Sequence, residues 1–345
     1  LTVLTATQRS QPSAQLSAET LLDMYWHMLL ARRTDERAWM LHRQGKIAFH
    51  VSSMGHEAVQ VGAAFAINRG VDYVAPYYRD WALCMAIGVT PRDFMLSLFG
   101  KAGEISSKAR QMPSHWSHRG LNILSTSSPV ATQVPQAAGL AFAIKYKREN
   151  GLVDPNDATQ PRLALTCLGE GSTSQGEWHE GMNWAGVHKL PLICLVENNN
   201  YAISVPIERQ MAVSRVAERA VAYGVHGVTV DGTDILACYD AVRAAAERAY
   251  NGEGATLIEA KCYRLTPHSS DDDDRTYRSR EEIEEAKRAD PILRFERYLR
   301  ERGILSDAIK QDYEQRARQV IDEAQRYAEA APYPEGSSLY EDVYA

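Results

Sequence analysis

Paired cysteines are missing from this chain of 345 residues: its five thiols, at 84, 167, 194, 238 and 262, are odd in number and far apart. That spacing excludes a disulfide framework and a close-set zinc site, and it favours a reducing cytoplasm. A positive excess is also missing, since 38 Lys and Arg face 44 Asp and Glu for a formal charge of −6. Without a basic stripe, no nucleic-acid partner is expected. No apolar run approaches the roughly 20 residues of a membrane span, so no membrane partner is expected either. Residues 1–16 hold a single Arg and no signal-peptide core, and read as a flexible polar tail. The Gly-x-x-x-x-Gly-Lys-Ser/Thr phosphate loop of one kinase-like class is absent, and His56-Glu57-Ala58-Val59-Gln60 lacks the second His of a zinc-protease helix.

What is present is a 45% hydrophobic chain, long enough to bury a sizeable core, without internal repeats or a break in composition. Apolar residues recur at helical spacing from Ser17 to Gln44, and further helices are expected at 55–68, 79–87, 91–100 and 131–147. Apolar runs then alternate with helical stretches. Strands are expected at 163–168, 191–196, 226–230 and 256–262, with helices at 174–188, 214–222 and 234–250 between them. This alternation predicts an α/β fold, an open and mostly parallel sheet flanked by helices, with helical N- and C-terminal extensions. The polar residues 266–280 form a loop. Ser279 and Glu282 make a capping box, Asp290-Pro291 opens the next helix, and a last helix runs from about Ser306 to Ala330. The domain division is then a tail over 1–16, one α/β domain over 17–330 and an extended arm over 331–345.

Two strands end abruptly in polar residues. Leu163–Leu168 runs into Gly169-Glu170-Gly171, and Leu192–Val196 into Glu197-Asn198-Asn199-Asn200. Ligands of open α/β sheets bind at the C-terminal strand ends. Glu170 and Asn199, 29 positions apart with one helix between them, can therefore converge from neighbouring strands. One carboxylate and one carboxamide oxygen make a half-site for Mg²⁺, which keeps its other positions for water and phosphate oxygens. Gly169 and Gly171 let the backbone approach a phosphate, and a helix opened by Ser174, with Glu177 completing its capping box, adds N–H groups and dipole. Taken singly, Gly-Glu-Gly is a turn and Asn-Asn a loop start; together at this spacing they point to a Mg²⁺–diphosphate site. The run Asp271–Asp274 reads as a solvated loop face, since four consecutive carboxylates cannot all face one ion.

Gly169-Glu170-Gly171 followed by Asn198-Asn199 and Tyr201-Ala202-Ile203-Ser204 resembles the thiamine-diphosphate motif of the α subunits of 2-oxoacid dehydrogenase first components. The similarity extends from about Leu21 to the C-terminus. Many thiamine-diphosphate enzymes have Asp at the central acid; Glu170 departs from that pattern, as in some branched-chain members. The resemblance implies the diphosphate-binding half of the thiamine-diphosphate fold. It makes Glu170, Asn199 and the carbonyl of Tyr201 the Mg²⁺ ligands, with Gly169, Gly171 and Ser172 along the diphosphate. Tyr77-Tyr78-Arg79-Asp80 resembles the family's Tyr-Arg pair, so Tyr78 and Arg79 reach the diphosphate, where a bidentate Arg suits phosphate oxygens. Ser127-Ser128-Pro129-Val130-Ala131-Thr132-Gln133 is similar to its Ser-Ser-Pro turn. Ser128 and Val130 then touch the cofactor, and Ser127, Pro129, Thr132 and Gln133 are the K⁺ ligands of some branched-chain members; a plain helix N-terminus explains the same residues. Tyr263 through Asp272 resembles the cofactor loop, with His268 as a catalytic residue at the diphosphate end.

By the same resemblance, the acid that serves the cofactor's aminopyrimidine ring belongs to a β subunit, and nothing in this chain looks like a second, pyrimidine-binding domain. The expected assembly is two α with two β chains, serving the lipoyl domain of an acyltransferase component. Gly45–His50, Arg110–Pro113 and the His268 loop look closest to branched-chain members, and Phe49 and Val130 are candidate walls of the substrate pocket. A pyruvate or acetoin enzyme is the alternative within the family, and a non-catalytic scaffold of the same fold is the alternative outside catalysis. The small residues Gly181, Ala185 and Gly186 suit close packing, against a partner helix or within the core.

Overall fold

The computed structural model describes residues 12–154 and 157–341. Residues 1–11, most of the expected tail, lie outside the described residues, as do 342–345 of the expected arm. Residues 12–15 of that tail are instead a 3-10 turn, tied down by Ser13, whose hydroxyl donates to Asp240 at 2.7 Å.

The sheet grows from four runs whose residues alternate between two apolar faces. In β2 (Ala164–Gly169) Leu165 and Cys167 face one core and Leu168 the other; in β3 (Leu192–Asn198) Ile193 and Leu195 oppose Cys194 and Val196. Burial on both faces is what a parallel strand covered by crossover helices requires. With β1 (Tyr73–Ala75), β6 (His226–Asp231) and β7 (Thr256–Lys261), the strands lie in the order β1-β2-β3-β7-β6, all parallel. The larger core is covered by α1 (Ala18–Arg43), α2 (Glu57–Ala66), α3 (Trp81–Ile87), α4 (Pro91–Leu98) and α7 (Ile235–Tyr250). The smaller lies under α5 (Gln133–Glu149) and α6 (Gly176–Val187). Between β3 and β6 the chain makes a short hairpin, β4 (Tyr201–Ala202) with β5 (Val205–Pro206), and crosses to the far edge of the sheet.

Two local expectations are corrected and a third is decided. The helix expected at 214–222 is a 3-10 helix, Val216–Tyr223. Ser174 does not cap α6: Glu170–Ser174 winds as a 3-10 turn, and α6 starts after Gln175 without a side-chain cap. The small residues of α6 are used inside the chain. A Cβ on Gly181 would stand 2.8 Å from Val134, and one on Gly186 would stand 1.9 Å from the Tyr223 carbonyl.

The C-terminal helices α8 (Arg280–Arg288), α9 (Pro291–Glu301) and α10 (Asp307–Ala330) begin at Ser279, Asp290 and Ser306, each side chain accepting from a first-turn N–H. Glu282 does not close the capping box; its carboxylate accepts from the hydroxyls of Tyr201 and Tyr263, at 3.0 and 2.7 Å. Tyr25 to Glu296 and Arg33 to Glu314 tie α9 and α10 to α1. The segment after α10 is not uniformly extended: it contains a 3-10 turn, Gly336–Tyr340, and Lys101 holds the Ala331 carbonyl at 3.0 Å. Among the described residues, no helix is long and apolar enough to cross a membrane.

Candidate functional site

Parallel register places the C-terminal ends of β2, β3 and β7 along one edge, with Gly169 paired to Glu197 and Glu197 to Ala260. Glu170 follows directly and is 2% exposed. Its carboxylate accepts from the Asn199 N–H at 3.3 Å and the Gln210 amide at 3.4 Å, and burial pushes its pKa up. No described Lys, Arg or His forms an ion pair with it; Arg264 acts on it only from beyond ion-pair distance. The three consecutive asparagines divide the work. Asn198 donates to Glu259 on β7 at 2.6 Å, and Asn200 takes a left-handed φ of 71°. Asn199 meets Glu170 through its backbone N–H, while its Oδ1 accepts from the Tyr201 N–H at 3.3 Å and its Nδ2 meets His56 Nε2 at 3.2 Å. Tyr201 then enters β4, its hydroxyl directed to Glu282.

Gly171 is needed for a contact within the chain, because a Cβ there would stand 2.5 Å from that of Ala202 on the hairpin. A Cβ on Gly169 would meet nothing within 4 Å, so the open room along this turn is at Gly169, where a bound group has space. Ser172 is buried beside them.

A second buried charge of opposite sign lies alongside. Arg79 and Arg264, 2% and 1% exposed, both reach His268 Nδ1, at 3.3 and 3.0 Å. Arg79 also donates to the carbonyls of Ser52 and His268, and Arg264 to that of Ile203. Neither guanidinium is ion-paired with a carboxylate among the described residues. Burial and the neighbouring Arg79 draw the pKa of Arg264 down. Burial, Arg79 and Arg264 lower His268 to about 3, so its ring is neutral, accepting at Nδ1 and carrying its proton on Nε2. The Tyr78 ring packs edge-on against His268 at 6.0 Å. The His268 loop is pinned by Ser270 to the His50 carbonyl at 2.8 Å and by Leu265 to Met54 at 3.1 Å.

The acidic run after it is not a uniformly solvated face. Asp272 accepts from the His268 N–H at 2.8 Å, Asp273 pairs with Arg275 at 2.7 Å, and the buried Asp274 pairs with Arg278. Beneath Arg79 lie Asp80 and Glu197, fully buried, with Cys167 close enough that their ligand atoms fall within 4.8 Å. Burial raises both acids, so the two neighbouring carboxyls do not both ionise; burial likewise keeps Cys167 a thiol. Gln60 ties this pair to the site, donating to Glu197 and to the Arg79 carbonyl at 3.0 Å each.

The remaining candidates stand apart. Ser127 Oγ, Thr132 Oγ1 and the Pro129 carbonyl are in mutual contact at 2.5–3.3 Å, while the amide nitrogen of Gln133 is committed to the Cys167 carbonyl at 2.8 Å. Ser128 is exposed and bonds His115 at 2.8 Å, and Val130 is half-buried. Phe49 is half-buried next to the His50–Ser270 pairing. No hydrogen bond or ring contact joins Ser128, Val130 or Phe49 to Arg79, His268 or Glu170 among the described residues.

His56, Gln60 and Gln210 join the site through residues 19 or more positions away in sequence, whereas Arg264 lies in the matched segment and acts on His268 four positions on. A buried carboxylate and two buried guanidiniums that form no ion pairs among the described residues fit a divalent metal bridged to a phosphate-bearing ligand. A family model for the dehydrogenase E1 component matches residues 25–337. The chain is 51% identical, over 330 residues, to 2-oxoisovalerate dehydrogenase subunit alpha of Bacillus subtilis (strain 168), covering 96% of this chain and 97% of that protein. It is 35% identical over 330 residues to the pyruvate dehydrogenase E1 component subunit alpha of Staphylococcus aureus, with 95% of this chain and 83% of that one covered. The corresponding Bacillus cereus subunit is 35% identical over 331 residues, at 96% and 83%. The chain belongs to the dehydrogenase E1 component family, as an α-type chain of a thiamine-diphosphate-dependent 2-oxoacid dehydrogenase.

Proposed function

We propose that this chain is the diphosphate-holding half of a first component that acts on branched-chain 2-oxoacids. The observation that carries it is the juxtaposition of buried groups of opposite charge that form no ion pair among the described residues, Glu170 on one side and Arg79 with Arg264 on the other. Thiamine diphosphate, when bound, supplies the electron sink for loss of CO₂. Glu170, Asn199 and the carbonyl of Tyr201 hold Mg²⁺. Arg79 and Arg264 take diphosphate oxygens as charge-assisted donors, His268 offers its Nε2–H beside them, and Tyr78, Gly169, Gly171 and Ser172 line the group. Residues 17–330 form the domain that carries this site. Ser128 and Val130 touch the cofactor from the Ser-Ser-Pro turn, and the oxygens of Ser127, Pro129 and Thr132 form a K⁺ site with Gln133, supported by the mutual contact of the first three.

The chain works with a β subunit that supplies the acid for the aminopyrimidine ring, two α with two β. The lipoyl domain of an acyltransferase component takes the acyl group, in the cytoplasm. Phe49 and Val130 form apolar walls for the substrate's branch. A pocket gains about 1–3 kcal/mol from a few extra methylenes. With its β subunit, the enzyme is therefore expected to prefer 3-methyl-2-oxobutanoate over pyruvate by roughly 10–200-fold in kcat/KM. A preference for pyruvate would overturn the branched-chain assignment.

A further inference from the structure

His56 occupies the N-cap position of α2 yet makes no side-chain cap bond. An N-cap side chain ordinarily satisfies a first-turn N–H, so a fully buried His there that leaves the helix uncapped is held for another contact. That contact is Asn199, whose Nδ2 lies 3.2 Å from His56 Nε2. Gly55 brings the ring there: its φ is +98°, and a Cβ would fall 1.9 Å from the Tyr263 carbonyl, so the chain turns hard against that strand end. An amide nitrogen donates and cannot accept, so the Asn199 contact makes Nε2 the acceptor and puts the ring proton on Nδ1, which has no hydrogen-bond partner among the described residues. An acceptor at Nε2 draws the NH₂ end of the Asn199 amide toward His56. Oδ1 is then on the opposite end, where the Tyr201 N–H also holds it. Only the oxygen end of a carboxamide can bind a cation. With the opposite tautomer, or no acceptor, only the Tyr201 N–H opposes a rotation of the amide that presents nitrogen to the metal position.

We infer that His56 is a positioning residue for the metal site: it fixes which end of the Asn199 amide faces Mg²⁺ and thereby sets the affinity for that ion. This rests on the assignment of Glu170 and Asn199 as Mg²⁺ ligands. Groups that orient metal ligands typically account for 10–100-fold in metal affinity.

The test is thiamine diphosphate binding to the assembled α and β chains, followed by calorimetry across a Mg²⁺ series. His56→Phe, which keeps a ring but no acceptor, should raise the half-saturating Mg²⁺ concentration by about 10-fold or more. His56→Gln, whose carboxamide oxygen can accept from Asn199, should return it to within about 3-fold of the wild type, a recovery that a mere packing role would not give. If His56→Phe does not assemble, His56→Met, a flexible filler without a nitrogen acceptor, takes its place. Glu170→Gln is the control. If Glu170→Gln loses Mg²⁺-dependent binding while the acceptor-free His56 variant keeps the wild-type requirement, or if His56→Gln fails as badly as His56→Phe, the role of His56 is overturned and the metal assignment stands. If Glu170→Gln retains the wild-type Mg²⁺ requirement, the metal assignment itself falls, and the role of His56 with it.

Discussion

His268 shows at the scale of one residue how the site's charges govern its chemistry. Two guanidiniums converge on its Nδ1, so protonating the ring places a third positive charge in a buried cluster. Its folded pKa, about 3, lies below the ordinary histidine value of 6.5. The unfolded chain therefore binds the proton first, and the contribution to stability is fully present above pH 6.5 and lost as pH falls toward 3. The slope this one group adds is at most about 1.4 kcal/mol per pH unit. Urea midpoints of His268→Asn in the cofactor-free protein should accordingly fall less steeply over that range than those of the wild type. Equal slopes would show that the ring does not titrate in this way. Glu170 and Asn199 were legible in the sequence because a buried strand that stops on a carboxylate has a local signature. His56 was not, since its partner lies 143 positions away. Arg264 lay within a matched segment, but nothing local distinguishes a buried guanidinium from a surface one.

At the scale of elements, the ends of β2, β3, β6 and β7 were legible to within one or two residues, because apolar residues recur through each segment between polar stretches. β1, three residues long, carries too little pattern to be seen. Helix starts were legible where a cap side chain does its usual work, as at Ser279 and Ser306, and misread at Ser174, where the chain winds a 3-10 turn first. That turn is braced against the hairpin, which gives a prediction. Gly171→Ala drives a methyl into Ala202, and overpacking of this kind costs about 1–3 kcal/mol. Gly169→Ala meets no neighbour, and its stability should stay within about 0.5 kcal/mol of the wild type. Urea unfolding of the two variants compares them directly; equal losses would contradict the packing described for this turn.

On the scale of the whole molecule, the alternation of apolar runs was enough to give a parallel sheet, but not its order. The chain leaves β3 for the far edge at β6 and returns to place β7 between them, a path fixed by contacts between distant residues. That order brings the ends of β2 and β3 to neighbouring positions, and the loop after β7 carries Arg264 and His268 beside them. The result is a buried carboxylate and two buried guanidiniums that form no ion pairs among the described residues. The most direct test is calorimetric titration of thiamine diphosphate into the α–β assembly, with and without Mg²⁺, for the wild type and Arg264→Gln. Charge-assisted hydrogen bonds are worth about 1.5–3 kcal/mol. The predicted result is Mg²⁺-dependent binding by the wild type that weakens by roughly 10–100-fold in Arg264→Gln. Binding that is indifferent both to Mg²⁺ and to the loss of Arg264 would contradict the metal–diphosphate site.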